Sequence, residues 1–393
     1  MTDMRALPLP GHAAPHVVPS AALVPVPRSG DDSAPASLRA WPAVSVVMPV
    51  LNEEKYLATS VTEILGQAYQ GEIELVIALG PSKDGTDWVA RKLAAADSRI
   101  RLVRNPCGKT PAGLNAAVLA ASHDIIARVD GHGVPLPGYI ERAVLLLEQT
   151  GAANVGGLML AVGVTGFEQA VARAYSSKAG LGGGSFHVGG EEGPADSVYL
   201  GVFRREVLER LGGFDEHYQR AQDWELNHRI RQSGEVVWFS PDLAVTYRPR
   251  SSWSELGRQF FHTGRWRREV IRRHPESIRL RYLAPPVVTA TIAVGAAAGA
   301  VGAVTGVRGL RWGLLPSAAY GAGVVVASVA EGYGLPWRAR AWLPAVLATV
   351  HLSWGSGFLF GRCPGQPKAV GGTIGSPGRG SHRGRAFAAA PGA

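Results

Sequence analysis

The sequence predicts an α/β domain with a largely parallel sheet, followed by membrane helices, and three observations predict it. Short β-branched apolar runs alternate with helical patterns over residues 44–129. Polar side chains recur just past the ends of those runs, the edge at which open parallel sheets bind ligands. Residues 282–307, 312–330 and 341–361 contain no Asp, Glu or Lys. Each of these stretches is near or above the roughly 20 residues that cross a bilayer as a helix.

Taken in order, residues 44–50 (Val-Ser-Val-Val-Met-Pro-Val) form the kind of run that a strand covered on both faces shows. Residues 55–69 read as a helix, 74–79 as a second strand and 84–96 as a second helix. Residues 100–103 make a third strand, about 111–121 a helix and 124–129 a fourth strand. The middle, 150–200, is less regular. Its glycine-rich stretch from Gly180 to Gly193 follows a helical pattern and lacks Gly-Lys-Ser/Thr, so it reads as a surface linker or a mobile loop over the site. Of the apolar stretches, the first and third are the stronger spans. The second is shorter and rich in Gly, Ala and Ser, which suits close helix packing in lipid.

The 393 residues, 46% of them hydrophobic, suffice for two domains with a full core. The net charge of +9 is unevenly placed: residues 248–281 hold ten arginines against Glu255, Glu269 and Glu276. A basic run beside apolar spans points to anionic lipid headgroups as the partner, and nucleic acid is not expected. Cys107 and Cys363 form no metal-ligand spacing and no disulfide framework. Residues 1–40, with seven prolines and no apolar core behind a basic start, read as a disordered leader rather than a signal peptide. The domain map is therefore a leader (1–40), a catalytic domain (41–247), basic amphipathic interface helices (248–281), a membrane region of two to three helices (282–361) and a disordered basic tail (362–393). The folded front is expected in the cytoplasm.

The chemistry-bearing residues lie at the strand ends. Asn52-Glu53-Glu54 follows the first strand and Lys83-Asp84-Gly85-Thr86-Asp87 the second. Glu54 and Asp84 suit a base or ribose, although an Asp before a helix also serves as an N-cap. Lys109 precedes a helix, where a cation and backbone N–H groups meet phosphate; the alternative is an ordinary surface lysine. Asp130-Gly131-His132 closes the fourth strand. A divalent cation bridging two phosphates prefers oxygen ligands, and imidazole suits Mn²⁺ better than Mg²⁺, so Asp130 is the candidate ligand and His132 a second. Gln222-Asp223-Trp224-Glu225 opens a helix. There Asp223 either complements the helix dipole or acts as a general base on an acceptor hydroxyl. One base suffices for direct, inverting displacement at an anomeric carbon. Residues 259–268 carry Phe260, Phe261 and Trp266 on one side and arginines on the other, the pattern of a helix lying in a membrane interface. Arg265 and Trp266 are also candidates for contact with a departing diphosphate.

In this order and spacing, the segments from Val44 to Trp266 resemble the family 2 glycosyltransferases of GT-A fold, a Rossmann-like, mostly parallel architecture. The matching parts are Val-Met-Pro-Val-Leu-Asn-Glu-Glu, Asp84-Gly85-Thr86-Asp87, Lys109 with Gly113-Leu114-Asn115, Asp130-Gly131-His132, Leu211-Gly212-Gly213-Phe214-Asp215-Glu216 and the Asp223/Glu225 helix. The Asp-x-His variant and the C-terminal spans look most like the bacterial exopolysaccharide branch, the succinoglycan-type glucosyltransferases. The resemblance implies nucleotide contacts at Glu54 and Asp84, metal and diphosphate at Asp130 and His132, and the base at Asp223. Two departures stand out: the usual Glu-Asp pair is Gln222-Asp223, and the Gln-x-x-Arg-Trp signature of processive synthases is absent.

The leading expectation is transfer of a sugar from a nucleotide-sugar donor, UDP-glucose or a relative, to a lipid-linked saccharide, with Mn²⁺ or Mg²⁺. The rivals are transfer to polyprenyl phosphate and a catalytically silent membrane scaffold. An oxidoreductase is disfavoured because no Gly-x-Gly-x-x-Gly follows the first strand. A cytoplasmic front domain and three spans would carry the basic tail across the membrane, against the positive-inside tendency. Either one stretch is re-entrant or the run at 248–281 dominates.

Overall fold

The computed structural model describes residues 40–363. The leader, up to residue 39, and the tail beyond Cys363 lie outside the described residues.

β1 (Val44–Val50), α1 (Leu57–Leu65), β2 (Ile73–Leu79), α2 (Thr86–Ala96), β3 (Ile100–Arg104), α3 (Thr110–Ala120) and β4 (Ile125–Arg128) follow the expected alternation. β1 pairs in parallel with both β2 and β4, and β2 with β3. The continuous apolar run of β1 serves two cores at once, because successive side chains leave a strand on opposite faces. Val44, Val46 and Met48 join Leu57, Val61 and Ile64 of α1 in one core. Val47 joins Leu114 and Ala117 of α3 in the other.

The chain continues through β5 (Val134–Pro135), α4 (Tyr139–Thr150), β6 (Asn154–Ala161) and α5 (Gly166–Tyr175). Two short helices, α6 (Lys178–Leu181) and α7 (Ser185–Val188), precede β7 (Gly193–Pro194), β8 (Tyr199–Arg204), α8 (Arg205–Arg210), α9 (Gln222–Gln232) and β9 (Val237–Tyr247). The sheet order is β3-β2-β1-β4-β8-β6-β9-β5, with β7 against β9. β8 is antiparallel to both β4 and β6, whereas β6 and β9 are parallel. β5 and β7 run antiparallel to β9. The sheet is thus mixed: wholly parallel in its first four strands, as expected, and beyond them broken by the antiparallel β8, β5 and β7, with β6 and β9 again parallel. No single helical crossover joins β4 to β8, so nothing imposes a parallel return there.

α10 (Trp253–Arg273) leads to α11 (Leu280–Thr305), the short α12 (Arg308–Arg311), α13 (Leu315–Glu331) and α14 (Trp337–Phe360). Three helical stretches are long and apolar enough to cross a membrane: Leu280–Thr305, Arg308–Glu331 and Trp337–Phe360, with mean hydropathies of 2.0, 1.5 and 1.3. The first two bury only 17% and 11% of their apolar windows within the protein, against 39% for the third. Side chains such as Val294 and Val329 therefore stand exposed in numbers that favour lipid over water. The third helix begins four residues before the expected 341 and takes in Arg338 and Arg340.

The apolar side of α10 is not left free for the bilayer surface. Leu256 and Phe260 pack with Leu347, Val350 and Trp354 of α14. Gly264 lies so close to Trp354, and Gly357 to Phe261, that a Cβ at either glycine would strike the opposing backbone. Arg268 adds hydrogen bonds to the carbonyls of Leu359, at 3.0 Å, and Gly361. This lock ties the third apolar helix to the sheet domain.

Candidate active site

The loops after β1 and β2 brace each other. The Asn52 amide donates to Ser82 Oγ at 3.0 Å, and Asn52 Oδ1 accepts from the Lys83 amide at 2.8 Å. The Glu53 amide donates to Thr86 Oγ1 at 2.7 Å, and Glu54 Oε2 accepts from the Gly85 amide at 2.9 Å. Asp84 accepts from the Thr86 hydroxyl and amide at 2.5 and 3.1 Å, and the hydroxyl first of all holds its carboxyl below the usual range. Glu54 and Asp84, expected as nucleotide contacts, thus bind backbone and Thr86. They are not among the residues lining the main cavity, whereas their neighbour Glu53 is.

The two carboxylates that sequence places ninety-three residues apart meet at one guanidinium. Asp130 follows the C-terminal end of β4, and Arg128 is the last residue of that strand. Arg128 donates Nε and Nη2 to Asp130 Oδ1, at 3.2 and 3.0 Å, and Nη1 to Asp223 Oδ1. The Arg128 side chain is only 3% exposed, while Asp130 and Asp223 are 22% and 25% exposed. Asp223 reaches this position from the first turn of α9, entered through Ala221 in the left-handed region (φ 65°). A residue with a Cβ rarely adopts that conformation, and such strain concentrates at functional sites. The helix itself is anchored by Glu225, which receives Arg229 Nε and Nη2 at 2.7 Å each. Arg229 in turn donates to the carbonyls of Leu211 and Gly213 at 2.6 and 2.8 Å. The same turn is held from α3, where Asn115 exchanges two 2.8 Å hydrogen bonds with the backbone of Phe214.

A cavity of about 1000 Å³ opens over these groups. It is lined by Lys109, Asp130, His132, Gln222, Asp223, Arg265 and Trp266, so seven of the nine sequence-selected residues share one space. Lys109 stands immediately before α3, beside the free N–H groups of that helix. His132 Nδ1 lies 2.8 Å from Glu53 Oε1; burial works against its protonation, but the Glu53 carboxylate outweighs it and raises the imidazole pKa. Glu53, Asp130 and His132 line this cavity and offer two carboxylates and an imidazole, donor types that suit Mn²⁺ better than Mg²⁺, although their ligand atoms are not gathered as closely as those of the group around His228. Both Arg128 contacts to Asp130 end on Oδ1, and among the described residues no hydrogen bond engages Oδ2. Trp266 bounds the cavity yet is 2% exposed, clustered with Tyr218, Val270 and Cys363. The structure gives it a packing role. A separate group, His228, His274 and Glu276, brings its ligand atoms within 4.8 Å of one another. His228 Nε2 already meets Glu276 Oε1 at 2.9 Å, clasping α9 to the segment that follows α10.

Sequence reasoning passed over Arg128 and Glu53. The signal for Arg128 was present: one charge inside the otherwise apolar stretch Ile125-Ile126-Ala127-Arg128-Val129. It also passed over the cations of the far wall, Arg220, Arg250, Arg267 and Arg281. Tyr282, at the start of α11, and Trp354, in α14, line the cavity too, so it reaches from the strand ends to the apolar helices.

The model for glycosyl transferase family 2 matches residues 45–212. The succinoglycan biosynthesis protein ExoA of Rhizobium meliloti is 33% identical over 315 residues, which is 80% of this chain and 93% of ExoA. The Escherichia coli UDP-Glc:α-D-GlcNAc-diphosphoundecaprenol β-1,3-glucosyltransferase WfgD is 31% identical over 105 residues, 26% of this chain and 40% of its own. Among solved structures, the mannosyltransferase PcManGT from Pyrobaculum calidifontis, in complex with GDP-Man and Mn²⁺, shares the fold at a TM-score of 0.50 and 20% identity. That likeness covers 82% of this chain and 89% of PcManGT. With ExoA matched along nearly its whole length, and a GT-A sheet carrying strand-end carboxylates over one deep cavity, the chain belongs to the family 2 glycosyltransferases.

Proposed function

We propose that this enzyme inverts the anomeric centre of a nucleotide-sugar, UDP-glucose or a relative, as it transfers the sugar to a lipid-linked saccharide at the membrane. One observation carries the reading: a single cavity joins the Asp130–Arg128–Asp223 cluster to Tyr282 and Trp354 of the apolar helices. A water-soluble donor and a membrane-borne acceptor can meet there. The names of ExoA and WfgD agree with cell-surface saccharide assembly, and that of WfgD with a lipid diphosphate acceptor.

In this reading Asp130, with His132 and Glu53, would hold a divalent ion, which would supply positive charge for the departing diphosphate. Lys109 and the N–H groups of α3 take phosphate oxygens, and Glu54 and Asp84 shape the nucleoside end by fixing the two loops. Asp223 accepts the proton of the acceptor hydroxyl, held in place by Arg128 and by Gln222 beside it. The enzyme sits in the plasma membrane by two or three apolar helices, with its sheet domain in the cytoplasm, where nucleotide-sugars are made.

The test is slow donor hydrolysis by protein purified in detergent. Metal-dependent UDP release from UDP-glucose, abolished in Asp130→Ala, is the expected result. Silence with UDP-, GDP- and other sugar donors, together with no nucleotide binding, would overturn the reading in favour of a scaffold. Asp223→Asn separates acceptors, because a general base contributes roughly 10²–10⁴-fold with a hydroxyl acceptor. A phosphate acceptor would make that substitution mild.

A further inference from the structure

The acids of the cavity are Glu53, Asp130 and Asp223, and Arg128 already pairs with two of them. Arg220, Arg250, Arg265, Arg267 and Arg281 line the same space. Arg267 is the informative one. Its Nε and Nη1 are buried without a hydrogen-bond partner, and among the described residues no carboxylate pairs with it. Its guanidinium lies 4.0 Å over the Tyr282 ring and 5.4 Å from the centre of Trp224. Burial, then the charge of Arg281, lowers its proton affinity. Aromatic contact returns only part of what a buried, unpaired ion costs. An arrangement of this kind is stable when an anion completes it.

The surroundings indicate which anion. Arg265 likewise leaves Nε unpartnered and buried. Arg281 donates to the Tyr282 hydroxyl at 2.9 Å and to the Gly183 carbonyl at 3.3 Å, so the glycine-rich loop closes the same wall. Tyr282 and Arg281 belong to the first turn of α11, the point where the chain enters its first apolar helix. A ligand with an anionic head here would lay its hydrocarbon along exposed apolar helices.

We infer that Arg267, with Arg265 and Arg281, forms a second anion subsite, which receives the phosphate or diphosphate head of a long-chain lipid acceptor and is distinct from the donor diphosphate site at Asp130. The inference rests on the glycosyl-transfer reading and names the chemistry of its acceptor.

The experiment measures binding of farnesyl diphosphate, inorganic diphosphate and UDP with Mn²⁺ to the full chain in detergent, by intrinsic tryptophan fluorescence. Wild type should bind farnesyl diphosphate at least tenfold more tightly than inorganic diphosphate. Arg267→Gln should weaken farnesyl diphosphate at least tenfold and change UDP binding less than twofold. Arg281→Gln, at the edge of the subsite, should weaken it in the same sense. Because Arg267→Gln removes an unpaired buried charge, it should leave the anion-free protein no less stable than wild type. Equal weakening of UDP would assign the arginines to the donor, and equal binding of inorganic diphosphate would remove the lipid. Either result overturns the inference, as does unchanged farnesyl diphosphate binding in both variants. Retained farnesyl diphosphate binding with no UDP binding would instead sink the glycosyl-transfer reading and leave the subsite standing.

Discussion

Replacing Arg128 by Met should convert the active site into one that depends on metal for its stability. Among the described residues Arg128 is the one cation that touches both Asp130 and Asp223, through three of its hydrogen-bond donors. Removing one partner of a fully buried ion pair costs roughly 3–5 kcal/mol, because the other charge is left unpaired. Here the abandoned carboxylates keep 22% and 25% of their surface in contact with water, so the loss should be smaller, about 2–3 kcal/mol. A divalent ion at Asp130 would return much of that charge balance. In wild type the ion must share Asp130 with the guanidinium; in the variant it has the carboxylate to itself. Tenfold tighter metal binding would add about 1.4 kcal/mol of stabilisation at saturating ion. The assay is chemical or thermal unfolding in detergent, with and without Mn²⁺, for wild type, Arg128→Met and Arg128→Met/Asp130→Asn. The expected pattern is a destabilised variant whose midpoint Mn²⁺ raises more than that of wild type, and loss of this rescue in the double variant. An equal Mn²⁺ shift in wild type and Arg128→Met would refute the argument that the guanidinium and the metal contend for Asp130.

Three further outcomes follow from the geometry. Ala221→Gly relieves a left-handed backbone and should raise stability by up to about 1 kcal/mol, measured by denaturant midpoint, while lowering transfer because the entry to Asp223 loosens. Gly264→Val forces a side chain into the backbone of α14 at Trp354 and should destabilise by about 1–3 kcal/mol, with increased protease cleavage between α10 and α11 as a second readout. His187, which lines the cavity, is pushed down to about 3 by burial and then by Arg281, so the folded protein keeps it neutral. Its contribution is complete above pH 6.5 and is lost as pH falls, since the unfolded chain takes up the proton first. The loss is about 2 kcal/mol at pH 5 by linkage. Unfolding of wild type and His187→Gln at pH 7.5 and 5.0 checks this: the variant should be less sensitive to acid, and parallel pH responses would contradict it.

The parts of the fold legible in sequence were those governed by local periodicity. β1, β2, β3 and β4 each carry a short apolar run bounded by polar turns, and each forms within a residue or two of its expected limits. The apolar helices were legible for the same reason, as composition and length alone define them. The antiparallel entry of β8 was not. Its direction depends on how the chain returns across 150–200, and pairing partners carry no local mark. Within the cavity, Asp130, Asp223, His132 and Lys109 were legible because they stand at strand or helix ends on the ligand-binding edge of the sheet, in the order that the family resemblance supplies. Glu54 and Asp84 stand there for another reason, which the structure supplies: each accepts a backbone N–H from the neighbouring loop, Glu54 from Gly85 and Asp84 from Glu54.

The cationic wall was illegible for a more instructive reason. Arg265 and Arg267 stand in a run of ten arginines over residues 248–281; sequence alone singles out Arg265 as a diphosphate contact and assigns the rest, Arg267 among them, to lipid headgroups. Helix geometry divides the run. Arg268 turns to the carbonyls at the end of α14, and Arg272 and Arg273 close on the buried Glu269 at 2.8 Å. Arg265 and Arg267 face the cavity instead. The side of α10 that packs on α14 therefore decides which arginines meet substrate. A shift in that packing, made at Gly264 or Gly357, would move the wall relative to Asp223. On this argument, membrane attachment and catalysis are coupled through one helix crossing, and a variant loosened there should lose transfer to a lipid acceptor before it loses donor hydrolysis.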